Sequence, residues 1–213
     1  MSSSIADMRR EYSQKSLDLS DVAPNPIQQF NQWFSEARNA QLPEPNAMHL
    51  STVSPEGHPA GRVVLLKGIE NEKFIFYTNY QSRKGQEIAR NPYVALTFFW
   101  AELERQVRIE GRASQVDEQT STEYFHSRPR TSQIGAWASP QSQPIQGREI
   151  LDERRENYTQ KFSDQEVPKP PHWGGFSVDP VSFEFWQGRP SRLHDRIYYQ
   201  LEDVRWKVQR LAP

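Results

Sequence analysis

FEFWQGRPSRLHDRIYY, the stretch from Phe183 to Tyr199, predicts two strands joined by a turn. Aromatic and polar side chains alternate in its first half, and Gly188 and Pro190 follow as turn residues. A period of two places these side chains on one face of the second strand: Arg192, His194, Arg196 and Tyr198. Because like charges on one face repel, the pattern indicates an anion, such as a phosphate or carboxylate, above that face. A solvated strand edge, with its cations paired to nearby carboxylates, stays open as the alternative.

Composition limits the class of protein. The 213 residues suffice for one sizeable core, and 26 Lys and Arg against 27 Asp and Glu leave a net charge of −1. A net charge this small provides no global field for nucleic acid or an acidic membrane. The chain has no cysteine, and its five histidines lack the spacing of a zinc site. We predict no metal, no nucleic-acid partner, no membrane partner and, without a signal peptide or long apolar run, a cytoplasmic location.

The remaining pattern predicts short strands with helices around them. Asn25-Pro26 suits the start of a helix, because Asn caps and Pro fits the first helical position. From Ala47 to about Ala113, short strands separated by turns favour a closed or half-closed barrel. One strand, Arg62 to Lys67, is nearly all apolar and is predicted to be buried on both faces. Further helices are predicted over residues 117–128, 131–138 and 147–162.

Arg83 and Lys84 stand in the first turn of a short helix that Ser82 is predicted to cap. Cations are unfavourable there, because a helix N-terminus already carries partial positive charge. Two cations beside free backbone N–H groups make a good phosphate site. Two solvated cations at small electrostatic cost remain the alternative.

Several motifs resemble those of the pyridoxine/pyridoxamine 5′-phosphate oxidases, flavin enzymes that make pyridoxal 5′-phosphate. They run in order from about Arg9 to Pro213 and are RREY, RVVLLK, FYTN with SRK, ERQVRIEG, YFHSRPRTSQIGAW, PPHWGGF, EFWQG with RLHDR, and WKVQRLAP. The resemblance implies a mainly β fold with flanking helices (α+β), namely an FMN-binding split β-barrel. It also implies a homodimer with FMN at the interface. Residues 25–213 would form a single domain. Residues 1–24, whose composition alone predicts a disordered tail, would form a partly flexible arm or lid.

The resemblance assigns the FMN contacts by position. Arg83 and Lys84 match contacts to the FMN phosphate, and Gln106 matches a contact to the flavin ring. The implied FMN-binding residues are Arg62, Val63, Val64, Leu65, Leu66, Lys67, Tyr77, Thr78, Arg83, Lys84, Gln106, Gln141, Ser142, Trp186 and Arg196. The contacts made across the dimer interface are Gln141, Ser142, Trp186 and Arg196.

The substrate contacts follow in the same way. The implied substrate-binding residues are Arg9, Arg10, Glu11, Tyr12, Lys67, Tyr124, Arg128, Ser132, Arg192, Leu193 and His194. The residues that would clamp the substrate phosphate are Tyr124, Arg128 and Ser132. Arg192 and His194 match residues over the substrate ring and are the implied catalytic pair.

The implied reaction oxidises C4′ of pyridoxine or pyridoxamine 5′-phosphate. Hydride passes to FMN, and O2 reoxidises the flavin to give hydrogen peroxide. A non-enzymatic binder of flavin or pyridoxal phosphate on the same barrel is the rival hypothesis, since a fold does not by itself define a function. A binder of single-stranded nucleic acid, using aromatic and basic strands, is a third.

Overall fold

The structure is a computed structural model that describes residues 4–7 and 11–213. Arg9 and Arg10, predicted to contact substrate, lie outside the described residues. Within the described part, the helices are α1 (Pro26–Asn39), α2 (Arg83–Arg90), α3 (Glu118–Ser127), α4 (Arg130–Ala138) and α5 (Glu149–Lys161). The strands are β1 (Ala47–Val53), β2 (Pro59–Leu65), β3 (Gly68–Glu70), β4 (Lys73–Asn79), β5 (Tyr93–Trp100), β6 (Arg105–Gln115), β7 (Trp173–Gln187), β8 (Asp195–Glu202) and β9 (Arg205–Leu211).

The predicted starts of α1 and α2 are confirmed, whereas the helix predicted from residue 147 begins at Glu149. The Asn25 side chain accepts a hydrogen bond of 2.7 Å from the backbone N–H of Ile27, and Pro26 occupies the first position of α1. The Ser82 hydroxyl accepts the backbone N–H of Gly85 at 3.3 Å and so caps α2. Both helices therefore begin where their capping residues provide the partners that the first N–H groups lack.

The strands form one sheet with the order β2-β1-β5-β6-β7-β4-β3, and β8 pairs with both β7 and β9. The pairings β3–β4, β4–β7, β7–β8 and β8–β9 are antiparallel. In the β4–β7 pair Tyr77 lies opposite Gly175, and in the β7–β8 pair Trp186 lies opposite Arg196. The predicted class, mainly β with flanking helices, is confirmed.

The chain divides into two compact units. The first contains the described residues up to Leu50 together with Ala95–Gly111 and Pro180–Pro213, and the second contains Ser51–Val94 and Arg112–Asp179. In the first unit, α1 packs aromatic rings on the strands, with 5.0 Å between the ring centres of Phe30 and Phe98. In the second, α3, α4 and the segment after α5 enclose an apolar cluster of Phe125, Ile134, Phe162, Val167 and Trp173. The predicted division into an arm of residues 1–24 and a domain of residues 25–213 stays a prediction.

The turn before β8 corrects one sequence prediction. Pro190–Arg192 forms a 3-10 turn, in which Ser191 and Arg192 have φ of 58° and 61°. The strand itself begins only at Asp195. The prediction that Arg192 and His194 lie on a strand face is therefore wrong, because left-handed residues after a proline interrupt the extended backbone.

The strand that carries RVVLLK corrects a second prediction. β2 lies at one end of the strand order, and Val63 on it is 67% exposed. The prediction that this strand is buried on both faces is therefore wrong. An apolar run alone does not distinguish a central strand from an edge strand whose apolar side faces a ligand or a second chain.

The described residues after Glu11 are bound to the first unit rather than forming a free tail. The backbone N–H groups of Ser13 and Gln14 donate to one carboxylate oxygen of Glu104, and Leu17 is buried. These contacts contradict the disordered tail that composition predicts for this part of the N-terminus.

In the described part of the chain, no helix is both long and apolar enough to span a membrane. No group of three metal-ligating side chains occurs there either.

Candidate active site

The second unit contains a cavity of about 610 Å³, within the range of about 300–1,000 Å³ that is usual for small-molecule sites. All of its lining residues belong to that unit. The predicted site residues among them are Arg62, Val63, Val64, Leu65, Lys67, Tyr77, Thr78, Lys84, Tyr124, Arg128, Ser132 and Gln141. Distant parts of the chain thus supply one site.

Lys84 forms the basic end of this cavity. Its Nζ lies 3.1 Å from Thr78 Oγ1 and 3.0 Å from Gln141 Oε1, so that only neutral oxygens satisfy the ammonium group at these contacts. Burial and then the charge of Arg62 lower the pKa of Lys84 below its usual value. A half-buried cation held by neutral groups is a good partner for a phosphate, because an anion offsets the cost of desolvation.

A buried carboxylate holds two of the predicted cationic residues. Glu87 Oε2 lies 3.3 Å from Arg62 Nη2, and its Oε1 lies 2.8 Å from Arg83 Nε. Burial raises the pKa of Glu87, but hydrogen bonds from Thr52 and Arg83 and the nearby guanidinium charges lower it overall. The sequence interpretation missed Glu87, although its i,i+4 spacing from Arg83 is a detectable signal.

The place of Arg83 differs from that of Lys84. The side chain of Arg83 is 62% exposed, contacts Glu87 and does not line the cavity. In this structure Lys84 and Arg62 face the cavity, whereas Arg83 shares the carboxylate of Glu87 with Arg62. Of the other predicted FMN contacts in the second unit, Leu66 and Ser142 do not line the cavity either.

One wall of the cavity is a stack of aromatic rings. Tyr77 and Tyr124 stack with 3.8 Å between ring centres, and Trp173, nearly parallel to both, lies 5.4 Å from Tyr77 and 6.2 Å from Tyr124. Burial, followed by the charge of Glu70, raises the pKa of Tyr77 to about 12. The Tyr77 hydroxyl therefore stays protonated at neutral pH. A flat apolar wall of this kind suits a planar ligand.

Arg128 is the most informative residue of the site. Its guanidinium lies 4.6 Å from the ring centre of Trp173, and Nη2 donates to the backbone carbonyl of Ser132 at 3.0 Å. Its Nη1 is buried and has no hydrogen-bond partner among the described residues. Burial lowers the pKa of Arg128, although arginine remains charged. A buried donor without an acceptor, at the wall of a cavity, indicates an acceptor on a ligand.

Other lining residues were missed by the sequence interpretation. Trp173 follows the PPH of a recognised motif, and Asn79 ends β4. On α4 the predicted Ser132 recurs at helical spacing with three residues that were missed, Gly135, Ala136 and, just beyond the end of the helix, Ser139. Their i, i+3, i+4 and i+7 positions are a signal that could have identified this face.

The first unit brings together Trp186, His194 and Tyr12. The His194 ring lies 4.6 Å from Trp186, and Tyr12 meets Trp186 edge-on at 5.7 Å. The backbone N–H of Arg189 donates to His194 Nδ1 at 3.1 Å. Because Nδ1 accepts this hydrogen bond, Nε2 is the ring nitrogen left to contact a ligand.

The remaining predicted residues of the first unit are arranged differently. Arg196 donates two hydrogen bonds of 2.9 Å to the buried carboxylate of Glu184. For this cation, the alternative left open by the sequence, that it pairs with a nearby carboxylate, therefore holds. Arg192, Leu193 and Glu11 are exposed, and Gln106 is half-buried on β6.

Two protein-family models match the chain. The model described as pyridoxamine 5′-phosphate oxidase matches residues 34–161, and the model described as the pyridoxine 5′-phosphate oxidase C-terminal dimerisation region matches residues 173–213. A pyridoxine/pyridoxamine 5′-phosphate oxidase of Cyanothece sp. is 54% identical, with 100% of both chains covered. The protein of the same name from Acaryochloris marina is 56% identical, covering 99% of this chain and 96% of its own.

Solved structures show the same fold. The structure of PhzG from Burkholderia lata in complex with tetrahydrophenazine-1-carboxylic acid has a TM-score of 0.86 and 28% identity, with 91% of this chain and 95% of that chain covered. A pyridoxamine 5′-phosphate oxidase-related, FMN-binding protein from Nostoc punctiforme has a TM-score of 0.69 at 18% identity, with 86% and 97% covered. The second likeness concerns the fold alone. The predicted split β-barrel class is confirmed.

Proposed function

The chain belongs to the pyridoxamine 5′-phosphate oxidase family, and from that premise we propose how its residues serve the reaction. The chain oxidises pyridoxine 5′-phosphate and pyridoxamine 5′-phosphate to pyridoxal 5′-phosphate with FMN as cofactor. We further propose O2 as the electron acceptor, hydrogen peroxide as the second product and a cytoplasmic location, with neither nucleic acid nor membrane as a partner. The observation that carries the proposal is the unpaired, buried Nη1 of Arg128 beside stacked rings.

The residues fit both ligands. Two phosphates need two cationic positions, and the cavity has Lys84 with Arg62 at one and Arg128 at another. A planar ring system needs a flat wall, which the Tyr77 stack provides. The chemistry supplied by bound FMN is two-electron oxidation at C4′ of the substrate.

The roles of individual residues follow from these contacts. Arg62, held by Glu87, and Lys84 would bind the FMN phosphate, and the segment from Arg62 to Lys67 would supply further contacts to the cofactor. The substrate phosphate is bound by the clamp of Tyr124, Arg128 and Ser132. Fixing both phosphates aligns the reacting atoms before reaction, which can lower the barrier substantially.

Further roles fall to residues of the first unit. Arg192 orients the substrate ring, and His194 offers its Nε2–H as a hydrogen-bond donor because Nδ1 already accepts the Arg189 N–H. The chain forms a homodimer through residues 173–213. We propose that FMN lies at its interface, where the additional contacts come from Gln106, Gln141, Ser142, Trp186 and Arg196.

The visible absorption spectrum tests the function. The purified protein is supplied with FMN, and spectra are recorded without oxygen before and after pyridoxine 5′-phosphate is added. The flavin bands are expected to bleach and to return when air is admitted. A bound flavin whose bands never bleach would support the non-enzymatic binder instead, and a protein that binds no FMN would refute the cofactor site.

A further inference from the structure

Glu104 is a buried acid with an unusual set of partners. It is 2% exposed and has a φ of 54°, at the turn between residues 101–103 and β6. Its Oε2 accepts the backbone N–H of Ser13 at 2.9 Å and that of Gln14 at 3.0 Å. A carboxylate is retained in a buried position only when it is hydrogen-bonded, and here the donors come from a segment about ninety residues away in the chain.

The backbone of Glu104 also binds a second segment, the chain at Gly188 just after β7. Its carbonyl accepts the backbone N–H of Gly188 at 2.7 Å. A Cβ at Gly188 would lie 2.7 Å from Cγ of Tyr12 and 3.0 Å from Cβ of Glu104. Position 188 therefore accommodates only glycine without displacement of its neighbours, and Tyr12 rests directly on it.

Further contacts extend along residues 11–17, here called the N-terminal arm. The backbone N–H of Leu17 donates to Asp195 Oδ2 at 3.0 Å, and Arg210 Nη2 donates to the Leu17 carbonyl at 2.8 Å. Arg189 Nη1 donates to the carbonyl of Lys15 at 3.3 Å. The arm is thus attached at both ends, by Glu104 near Tyr12 and by Asp195 at Leu17.

The attached arm sets the position of one ring. Tyr12 lies 5.7 Å from Trp186 and 6.0 Å from His194, measured between ring centres. Both of these neighbours are proposed site residues. Tyr12 itself lies in no helix or strand, and the backbone hydrogen bonds next to it in the chain are those of Ser13 and Gln14 to Glu104.

We propose that Glu104 is a positioning residue, which holds the N-terminal arm so that Tyr12 covers His194 and Trp186 when substrate is bound. The proposal rests on the proposed function, because it assumes that these two rings belong to the substrate site. Glu104 does not touch the reacting atoms. It acts through the arm, and its loss raises KM for substrate while FMN binding is kept.

The test compares three variants of the full-length FMN-loaded protein. Glu104→Ala removes the oxygen that accepts both N–H groups, and Glu104→Gln keeps a neutral acceptor. Glu102→Ala is the matched control, since its exposed side chain lies in the same turn and its contact with the arm, from Gln14 Nε2 at 2.8 Å, is to the backbone carbonyl that the substitution keeps. Without substrate, amide hydrogen exchange at Ser13 and Gln14 is expected to be roughly tenfold faster in Glu104→Ala, with a smaller increase in Glu104→Gln. The control is expected to exchange like the wild type.

Kinetics then separate positioning from a general structural effect. KM for pyridoxine 5′-phosphate is expected to rise roughly tenfold in Glu104→Ala, with kcat changed less than KM and FMN content unchanged. In a Tyr12→Ala background the same substitution is expected to have almost no further effect on KM, because both act through one ring. Should Glu104→Ala fail to fold, Glu104→Gln carries both measurements.

Unchanged exchange at Ser13 and Gln14, or a KM effect that persists in the Tyr12→Ala background, would overturn the proposal. The exchange measurement needs no turnover. It therefore reports on the arm even if the wild type proves not to be an oxidase. Failure of the Glu104 proposal can thus be distinguished from failure of the proposed function.

Discussion

Arg128 has a buried donor that nothing in the described chain satisfies. Such a group lowers stability unless a ligand provides the acceptor, so its presence is better explained by binding than by folding. A related argument applies to Lys84, whose pKa is lowered by partial burial and by the charge of Arg62, while neutral oxygens are its hydrogen-bond partners. Both residues are therefore expected to affect ligand affinity more than stability.

We predict that Arg128→Met raises KM for pyridoxine 5′-phosphate by about tenfold to a hundredfold, the effect of losing a charged hydrogen bond. Steady-state kinetics provide the measurement, and FMN content is expected to stay at the wild-type level. Unphosphorylated pyridoxine is the control substrate, since it has no group for Arg128 to bind. An equal loss with both substrates would contradict the clamp.

The lowered pKa of Lys84 predicts that FMN affinity declines at alkaline pH. Phosphate binding requires the ammonium form. Because the pKa in the unliganded protein lies below the usual 10.5, charge and affinity are lost as pH rises through that lower value. FMN fluorescence titrations at several pH values measure this. Lys84→Arg is the control, as arginine keeps its charge, and an identical decline in that variant would refute the assignment.

At the scale of elements, α2 is held against the chain before it by a glycine. A Cβ at Gly85 would clash with the backbone carbonyl of Tyr80. A backbone group cannot move aside as the end of a flexible side chain could. Gly135 in α4 is the opposite case, because a Cβ there would meet nothing within 4 Å. The two helical glycines therefore differ. The close approach of α2 to Tyr80 requires glycine at position 85, whereas position 135 in α4 has room for a side chain.

We predict that Gly85→Ala lowers the midpoint of thermal unfolding and weakens FMN retention, because displacing α2 moves Lys84. Gly135→Ala is the matched substitution and is expected to leave the midpoint unchanged or to raise it, since alanine favours a helix by about 0.5–1 kcal/mol over glycine. Thermal unfolding of the two FMN-free proteins provides the comparison. Equal midpoints would show that α2 can shift at no cost.

At the scale of the whole molecule, exposed apolar side chains indicate where a second chain binds. Phe99 on β5 is 57% exposed, although large aromatic residues are usually buried. It lies on the face of β5 opposite to its buried residues, Val94, Leu96, Phe98 and Trp100. An exposed aromatic of this kind is typical of a protein–protein interface.

We predict that Phe99→Glu shifts the mass in sedimentation from twice 24.9 kDa towards 24.9 kDa, because a charge buried in an interface lacks a partner. Leu19→Glu is the control, as Leu19 is 46% exposed in a short turn near the N-terminus. A variant that stays dimeric at micromolar concentration would exclude Phe99 from the interface.

Local patterns in the sequence were sufficient for the order and type of most elements, but not for the turn at Pro190–Arg192. The alternation along β6 and the caps at Asn25 and Ser82 depend on neighbours a few residues apart, which a sequence displays directly. The ordered motifs were likewise sufficient for the family and for most of the cavity lining, including Lys84 and Arg128.

Only the tertiary structure decided which charges are buried and with whom they pair. Glu104 bonds residues about ninety positions away, which no local pattern reveals. The i,i+4 spacing indicates that Glu87 can pair with Arg83, but its contact with Arg62 spans 25 positions. The exposure of Val63 depends on the place of β2 in the strand order, and the position of Arg192 depends on a left-handed turn. The physical reason is that periodicity is a local property, whereas burial and partners are set by long-range pairing.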